Sequence, residues 1–198
     1  MIENLKKRFP VFSKKPDLVF FDTAASALKV DSMINAINEC YSYEYANIHR
    51  GIYELSSTLT QRYEDSRLAV SKFINSPSSD NIIFTKSATE GINLVSSCLS
   101  DNYFNDGDEV LLTSLEHHAN LVPWHLVSKK IKIITAKIKS TGELDYNDLL
   151  EKINSKTKLL AITHMSNVTG SITNFDEIKI KANKFNVPIL IDGCQYVP

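Results

Sequence analysis

Glycine is scarce in this chain, six residues in all, and four of the six stand beside polar clusters: His49-Arg50-Gly51, Thr89-Glu90-Gly91, Asn167-Val168-Thr169-Gly170 and Asp192-Gly193. Gly107 and Gly142 sit in plain turns. Three of the four clusters follow predicted strands, at the carboxyl edge where open α/β sheets bind ligands. In Thr85-Lys86-Ser87-Ala88-Thr89-Glu90-Gly91, Ser87 and Glu90 have the spacing of a capping box, so a helix should begin there. A helix start directly after a strand presents free N–H groups and a positive dipole end, which suit a phosphate. The same residues could equally be a cap and nothing more. No G-x-G-x-x-G or Walker pattern supports dinucleotide or P-loop binding.

Glu116-His117-His118-Ala119-Asn120 also follows a predicted strand. Adjacent side chains point in different directions, so the two histidines are poorly placed to share one metal, and zinc spacings are absent. A neutral imidazole that packs on a flat ligand and exchanges protons is one use of this loop; a polar surface pair is the other. Asp192 closes the apolar run Pro188-Ile189-Leu190-Ile191, so it stands at the lip of a core. A carboxylate there needs a cationic or hydrogen-bonding partner, or else caps the next segment. Cys194 has no basic neighbour in sequence and reads as a small buried packing residue. Asn167-Val168-Thr169 fits a glycosylation sequon, which matters only in a secreted protein.

The elements that must position these residues alternate strand and helix. Leu18–Phe21 is a short apolar run. Asp31 can cap a helix to about Tyr45, with Ile34, Ile37 and Tyr41 at helical spacing. A second helix spans Ser57 to Ile74, with Leu59, Tyr63, Val70, Phe73 and Ile74 on its buried side, and stops at Asn75-Ser76-Pro77. Five strands alternating with four helices follow. The predicted strands are Ile82–Thr85, Val110–Thr113, Ile131–Ile134, Leu159–Thr163 and Pro188–Ile191. The predicted helices are Ala88–Leu99, Asn120–Lys129, Asp145–Ile153 and Asp176–Phe185. Short all-apolar strands in this order predict an α/β fold with a mostly parallel sheet covered on both faces.

Composition agrees. The 198 residues are 43% hydrophobic and 23% charged, and 22 basic residues nearly cancel 23 acidic ones. That balance gives no reason to expect nucleic acid or an anionic membrane as partner. No apolar run reaches the length of a membrane span, and no signal peptide is visible. Three widely spaced cysteines fit a reducing compartment, so a cytoplasmic location is expected.

Taken in order, the motifs resemble the N-terminal half of a class V, fold-type-I pyridoxal-phosphate enzyme, specifically the Suf-type cysteine desulfurase group. The resemblance runs from Phe9-Pro10 to Pro198. It rests on Phe21-Asp22-Thr23-Ala24-Ala25-Ser26, His49-Arg50-Gly51, Thr89-Glu90-Gly91-Ile92-Asn93, Glu116-His117-His118-Ala119-Asn120 with Pro123-Trp124, Ser166-Asn167, and Asp192-Gly193-Cys194-Gln195. It implies residues 1–17 as an N-terminal arm and 18–198 as the N-terminal portion of the cofactor-binding large domain, incomplete at its C-terminal end.

The resemblance also implies roles. Ala88 and Thr89 would hold the phosphate of pyridoxal 5'-phosphate. His117 would stack on its ring and move protons, and Asp192 would pair with the pyridine nitrogen. Gln195 would bond the ring's phenolic oxygen, and Asn167 that oxygen or the substrate carboxylate. Ala24 and Ala25 would line the substrate pocket, while Arg50 would reach the neighbouring subunit's site in a homodimer. The implied reaction removes sulfur from L-cysteine, leaving L-alanine and a persulfide. A Suf-system acceptor protein would take the sulfur for iron–sulfur cluster assembly.

Ala88 stands where the group often has a hydroxyl residue, and Cys194 where a small Ala is usual. The lysine that anchors the cofactor, the persulfide-forming cysteine and the substrate-binding arginine would all lie beyond Pro198. The 198-residue chain alone is therefore expected to be inactive, and Ile82–Thr85 to lack its sheet neighbours. Two alternatives remain open: another class V enzyme (a selenocysteine lyase, aminotransferase or epimerase), or a noncatalytic partner of a complete desulfurase.

Overall fold

The computed structural model describes residues 5–197. Its internal contacts fall into two units, one running to Ile83 and the other from Phe84 onward.

The first unit is helical. A short helix α1 (Val11–Lys14) precedes α2 (Asp31–Glu39), which runs on into a π-helical turn, Cys40–Glu44. Asp31 is the first helical residue rather than the cap, and its Oδ1 accepts the Ser32 N–H at 2.7 Å. Helix α3 (Glu54–Phe73) starts three residues before the predicted Ser57. The approach to it is tight. A Cβ on Gly51 would lie 2.3 Å from Ser56 Oγ, a buried hydroxyl that donates to Asn47 O at 2.6 Å. The helix ends where Asn75 takes a positive φ of 56°, a conformation Asn tolerates better than most residues.

The apolar run Leu18–Phe21 lies outside any strand, and Phe21 is 94% exposed. The predicted inner face of α3 is open: Leu59 and Tyr63 are half-buried, whereas Val70, Phe73 and Ile74 are exposed. Ile34, Ile37 and Tyr41 on α2 and its π-helical turn are exposed as well. Among its described residues this unit contains no sheet, and an amphipathic helix buries its apolar stripe only against another layer.

The second unit is α/β. Helix α4 (Ala88–Asn102) leads to β1 (Glu109–Thr113), a 3₁₀ turn (His118–Asn120) and α5 (Val122–His125). There follow β2 (Lys132–Ala136), α6 (Tyr146–Lys152), β3 (Thr157–Thr163), α7 (Asp176–Lys184) and β4 (Ile189–Asp192). All strand pairings within the sheet are parallel and the order is β2-β1-β3-β4. Parallel neighbours need crossovers, which the intervening helices supply.

The predicted coverage of both faces is observed. Leu111, Leu160 and Ile162 point into one cluster with Leu149, Ile153 and Ile178. Val110, Leu112, Leu159 and Ala161 point into the other, with Ile92, Phe104 and Trp124. The two sets alternate along β1 and β3, as the two-residue period of a strand requires. Ile82–Thr85 lies outside the sheet; Ile82 is extended and buried, while Ile83 and Phe84 are exposed. The predicted helix Asn120–Lys129 is cut to the 3₁₀ turn and one turn of α5. Three bonds tie Ser128 to α4: its N–H donates to Ser100 Oγ at 2.9 Å, and its hydroxyl donates to Asp101 Oδ1 at 2.6 Å and accepts the Ser100 hydroxyl at 3.1 Å. Those tertiary bonds outweigh local helix propensity.

Leu160 is fully buried in the strand between β1 and β4. Leu160→Ala is expected to lower unfolding free energy by about 2–5 kcal/mol in urea denaturation. A loss below about 1 kcal/mol would show that this strand is not in the core.

Candidate active site

The carboxyl ends of β1, β3 and β4 lie on one edge of the parallel sheet, and the loops that carry His117, Asn167 and Gln195 begin there. Thr163 and Asp192 are register partners on β3 and β4. Asp192 is buried, and its Oδ1 accepts the Cys194 backbone N–H at 3.1 Å. Its main-chain oxygen takes the His164 N–H at 2.9 Å, which closes the edge between the two strands.

The His164 ring lies between Phe175 and Tyr196, at centroid distances of 5.3 and 3.8 Å. Burial, and secondarily the charge of Lys179, hold its pKa below the ordinary histidine value. Tyr196 directly follows Gln195, so these edge-on and tilted ring contacts brace the turn that carries the glutamine. Asn167 is exposed on the loop after β3. Buried Ser166 shapes that loop by accepting the N–H groups of Val168 and Thr169, each at 3.2 Å.

Helix α4 begins as expected. Ser87 Oγ accepts the Glu90 N–H at 3.2 Å. The Glu90 carboxylate reaches back to the Lys86 N–H rather than to that of Ser87. First-turn amides, here those of Ala88 and Thr89, have no acceptor within their own helix. Both residues are exposed. The helix packs against the His118–Asn120 turn and α5, and Ser96 Oγ donates to Pro123 O at 3.0 Å. Its start and the His117 turn therefore belong to one layer.

His117 caps that turn with its own side chain: Nδ1 accepts the Ala119 N–H at 3.1 Å, and its carbonyl accepts the Asn120 N–H at 2.8 Å. The ring itself is exposed. Ala88, Thr89, His117, Asn167, Asp192 and Gln195 thus all belong to the second unit. Ala24, Ala25 and Arg50 belong to the first, where all three are exposed. His49, before Arg50, holds a positive φ of 66° and pairs with Glu64 at 3.5 Å. A cavity of about 740 Å³ in the first unit is lined by Tyr41, Glu44, Tyr45, Arg62 and Tyr63, and by none of the candidate site residues.

The donor set suits a phosphorylated pyridine. A buried carboxylate at a sheet edge is an acceptor for a ring N–H, and a helix start accepts a phosphate. Residues 19–198 match the family model described as "Aminotransferase class-V". The chain belongs to that family.

Class-V membership implies pyridoxal 5'-phosphate as cofactor. The chain is 38% identical to a cysteine desulfurase of Serratia proteamaculans, over 99% of this chain and 50% of that protein. Among solved structures it resembles an apo cysteine desulfurase from Thermococcus onnurineus, with a TM-score of 0.88 and 32% identity over 96% of this chain and 46% of the other. The Escherichia coli cysteine desulfurase CsdA gives a TM-score of 0.87 at 31% identity, over 98% of this chain and 49% of that one. The chain spans half or less of the length of the curated relatives it matches. Among the described residues, no helix is long and apolar enough to cross a membrane.

Sequence reasoning missed Glu116, which it quoted but gave no task. Its carboxyl accepts the Thr113 hydroxyl, the Thr163 N–H and the Asn120 amide. Burial raises its pKa, those three bonds oppose the rise, and the charge of Asp192 adds to it. A lone Glu before two histidines gives no sign of such a network; only the register of β1 against β3 assembles it.

Cys194 corrects an expectation. The residue is exposed rather than a buried packing group. Its thiol nevertheless sits against protein, and desolvation, with a hydrogen bond to Asp192 and the repulsion of its charge, pushes the thiol up to about 11. A thiol reacts as thiolate, and that form is scarce below its pKa. Cys194 is therefore expected to resist iodoacetamide at pH 8 and to gain reactivity as pH approaches 11. Asp192→Asn should raise its rate at pH 8, read by peptide mass spectrometry. Equal rates in both proteins would remove Asp192 as a cause.

Proposed function

We propose that this chain supplies the cofactor-holding residues of a Suf-type cysteine desulfurase, which removes sulfur from L-cysteine and leaves L-alanine. The observation that carries this reading is buried Asp192 at the end of β4, in a fold that follows a cysteine desulfurase at a TM-score of 0.87 over 98% of this chain. Bound pyridoxal 5'-phosphate would supply an electron sink for bond breaking at the substrate's α-carbon.

Each residue then has a task that its chemistry suits. Asp192 would accept the pyridine N–H and keep the proton on that nitrogen. The start of α4, at Ala88 and Thr89, would take the phosphate. His117 would lie against the ring and move a proton, and Gln195 would bond the ring's phenolic oxygen. Asn167 would hold that oxygen or the substrate carboxylate. Ala24 and Ala25 would line the substrate pocket, with Arg50 reaching the neighbouring subunit of a homodimer. The sulfur would pass as a persulfide to a Suf-system acceptor protein for iron–sulfur cluster assembly, in the cytoplasm. Cys40, Cys98 and Cys194 have no sulfur-accepting task in this reading.

The test is product analysis. Given pyridoxal 5'-phosphate, L-cysteine and a reductant, the intact gene product is expected to release alanine and sulfide in equal amounts. Asp192→Asn should lower the rate roughly 10²-fold, the scale for loss of one preorganised charge partner. The 198-residue chain on its own is expected to turn nothing over. Cysteine consumed without alanine would overturn the reading and favour transamination or epimerisation. Alanine formed much faster from selenocysteine would favour a selenocysteine lyase.

A further inference from the structure

Glu116 sits at the crossing of three segments. Its Oε1 accepts the Thr113 hydroxyl from the end of β1 at 2.6 Å and the Thr163 N–H from the end of β3 at 3.0 Å. Its Oε2 accepts the Asn120 amide N–H at 2.7 Å. Asn120 is wholly buried and anchored in turn. Its backbone oxygen takes the Trp124 indole N–H at 3.0 Å, and the same N–H lies 3.4 Å from Asn120 Oδ1. That contact turns the amide so that its NH₂ group faces Glu116. Asn120 closes the loop on His117, donating its backbone N–H to the His117 carbonyl at 2.8 Å.

Within this closed turn the Ala119 N–H points at His117 Nδ1 from 3.1 Å. A neutral imidazole has one donor and one acceptor nitrogen, and the acceptor is identified by the donor facing it. Nδ1 is therefore the lone-pair nitrogen, and Nε2 carries the hydrogen. A doubly protonated ring would set two N–H groups against each other and break the cap.

We propose that Glu116 is a positioning residue: it ties the His117 turn to β1 and β3 and so holds the imidazole as its Nε2–H tautomer. In the resting protein His117 is then a hydrogen-bond donor through Nε2, and it can take a proton at Nδ1 only by opening its own turn. The catalytic meaning of this rests on the cofactor role proposed for His117. The tautomer and its dependence on Glu116 do not.

Long-range proton–nitrogen NMR of the ¹⁵N-labelled chain at pH 8 reads the tautomer without any cofactor. His117 is expected to show one protonated nitrogen, Nε2, and one bare nitrogen, Nδ1. Glu116→Gln sets an NH₂ group against either the Asn120 NH₂ or the Thr163 N–H, so one of the two ties is lost. Asn120→Ser removes the same link from the other end. In either variant the two ring nitrogens should move toward a common averaged shift. Amide exchange at Ala119 and Asn120 should quicken about tenfold, the scale for losing a hydrogen bond to a charged group. A role confined to stability would lower the melting temperature and leave the tautomer alone.

An Nδ1–H ring in the wild type overturns the proposal. So does a folded variant that keeps the single Nε2–H form with wild-type exchange. Failure of the intact gene product to bind pyridoxal 5'-phosphate, with the tautomer as stated, would instead count against the cofactor role and leave the positioning role standing.

Discussion

Burial of β1 and β3 on both faces is the constraint from which the second unit follows. Val110, Leu111, Leu112, Leu159, Leu160, Ala161 and Ile162 are at most 3% exposed, so neither face of these strands meets water. Fully burying one such large side chain is worth about 1.5–3 kcal/mol. A strand apolar on both sides needs a layer above and below, and parallel crossovers put helices there. The same crossovers gather the carboxyl ends of the strands on one edge, which is why chemically useful loops that are distant in sequence end together.

That edge gains its character from two carboxyl groups that sit where apolar strands stop. Asp192 and Glu116 face a common region, and the charge of the first raises the pKa of the second. Charges so placed are tolerated only when they are well bonded. Glu116 meets the condition with three donors from its own unit. Asp192 takes the Cys194 amide and leans on the Cys194 thiol, a weak donor. The better-satisfied carboxyl is thus built into the frame, and the other is the one suited to a cationic ring nitrogen.

Unit one follows a different rule. Its helices carry apolar residues at helical spacing, yet Tyr41, Val70 and Phe73 are exposed. Periodicity records which side of a helix is apolar; it does not say whether a partner layer exists in the same unit. The apolar run Leu18–Phe21 stays outside any strand for the same reason, since a strand is defined by a neighbour. Ile82–Thr85 repeats the lesson, with extended backbone at Ile82 and no ladder.

Much of the second unit was legible in the sequence because its signals are local. Runs such as Leu159–Thr163 can be buried on both sides only in a covered parallel sheet, and Ser87 with Glu90 marks a helix start from four residues alone. The order of motifs from Thr89 through His117 and Asn167 to Asp192 was enough to reach the class-V family. What the sequence could not hold were relations between residues far apart along the chain. The shortening of the Asn120–Lys129 helix needs Ser100 and Asp101 to reach Ser128. The task of Glu116 needs Thr163, 47 residues away, to arrive beside it. Local propensity and spacing determined the elements and the chemical types at their ends. Strand register, through hydrogen bonds that form only after the sheet assembles, decided which of those groups were bonded into the frame and which were left at its edge.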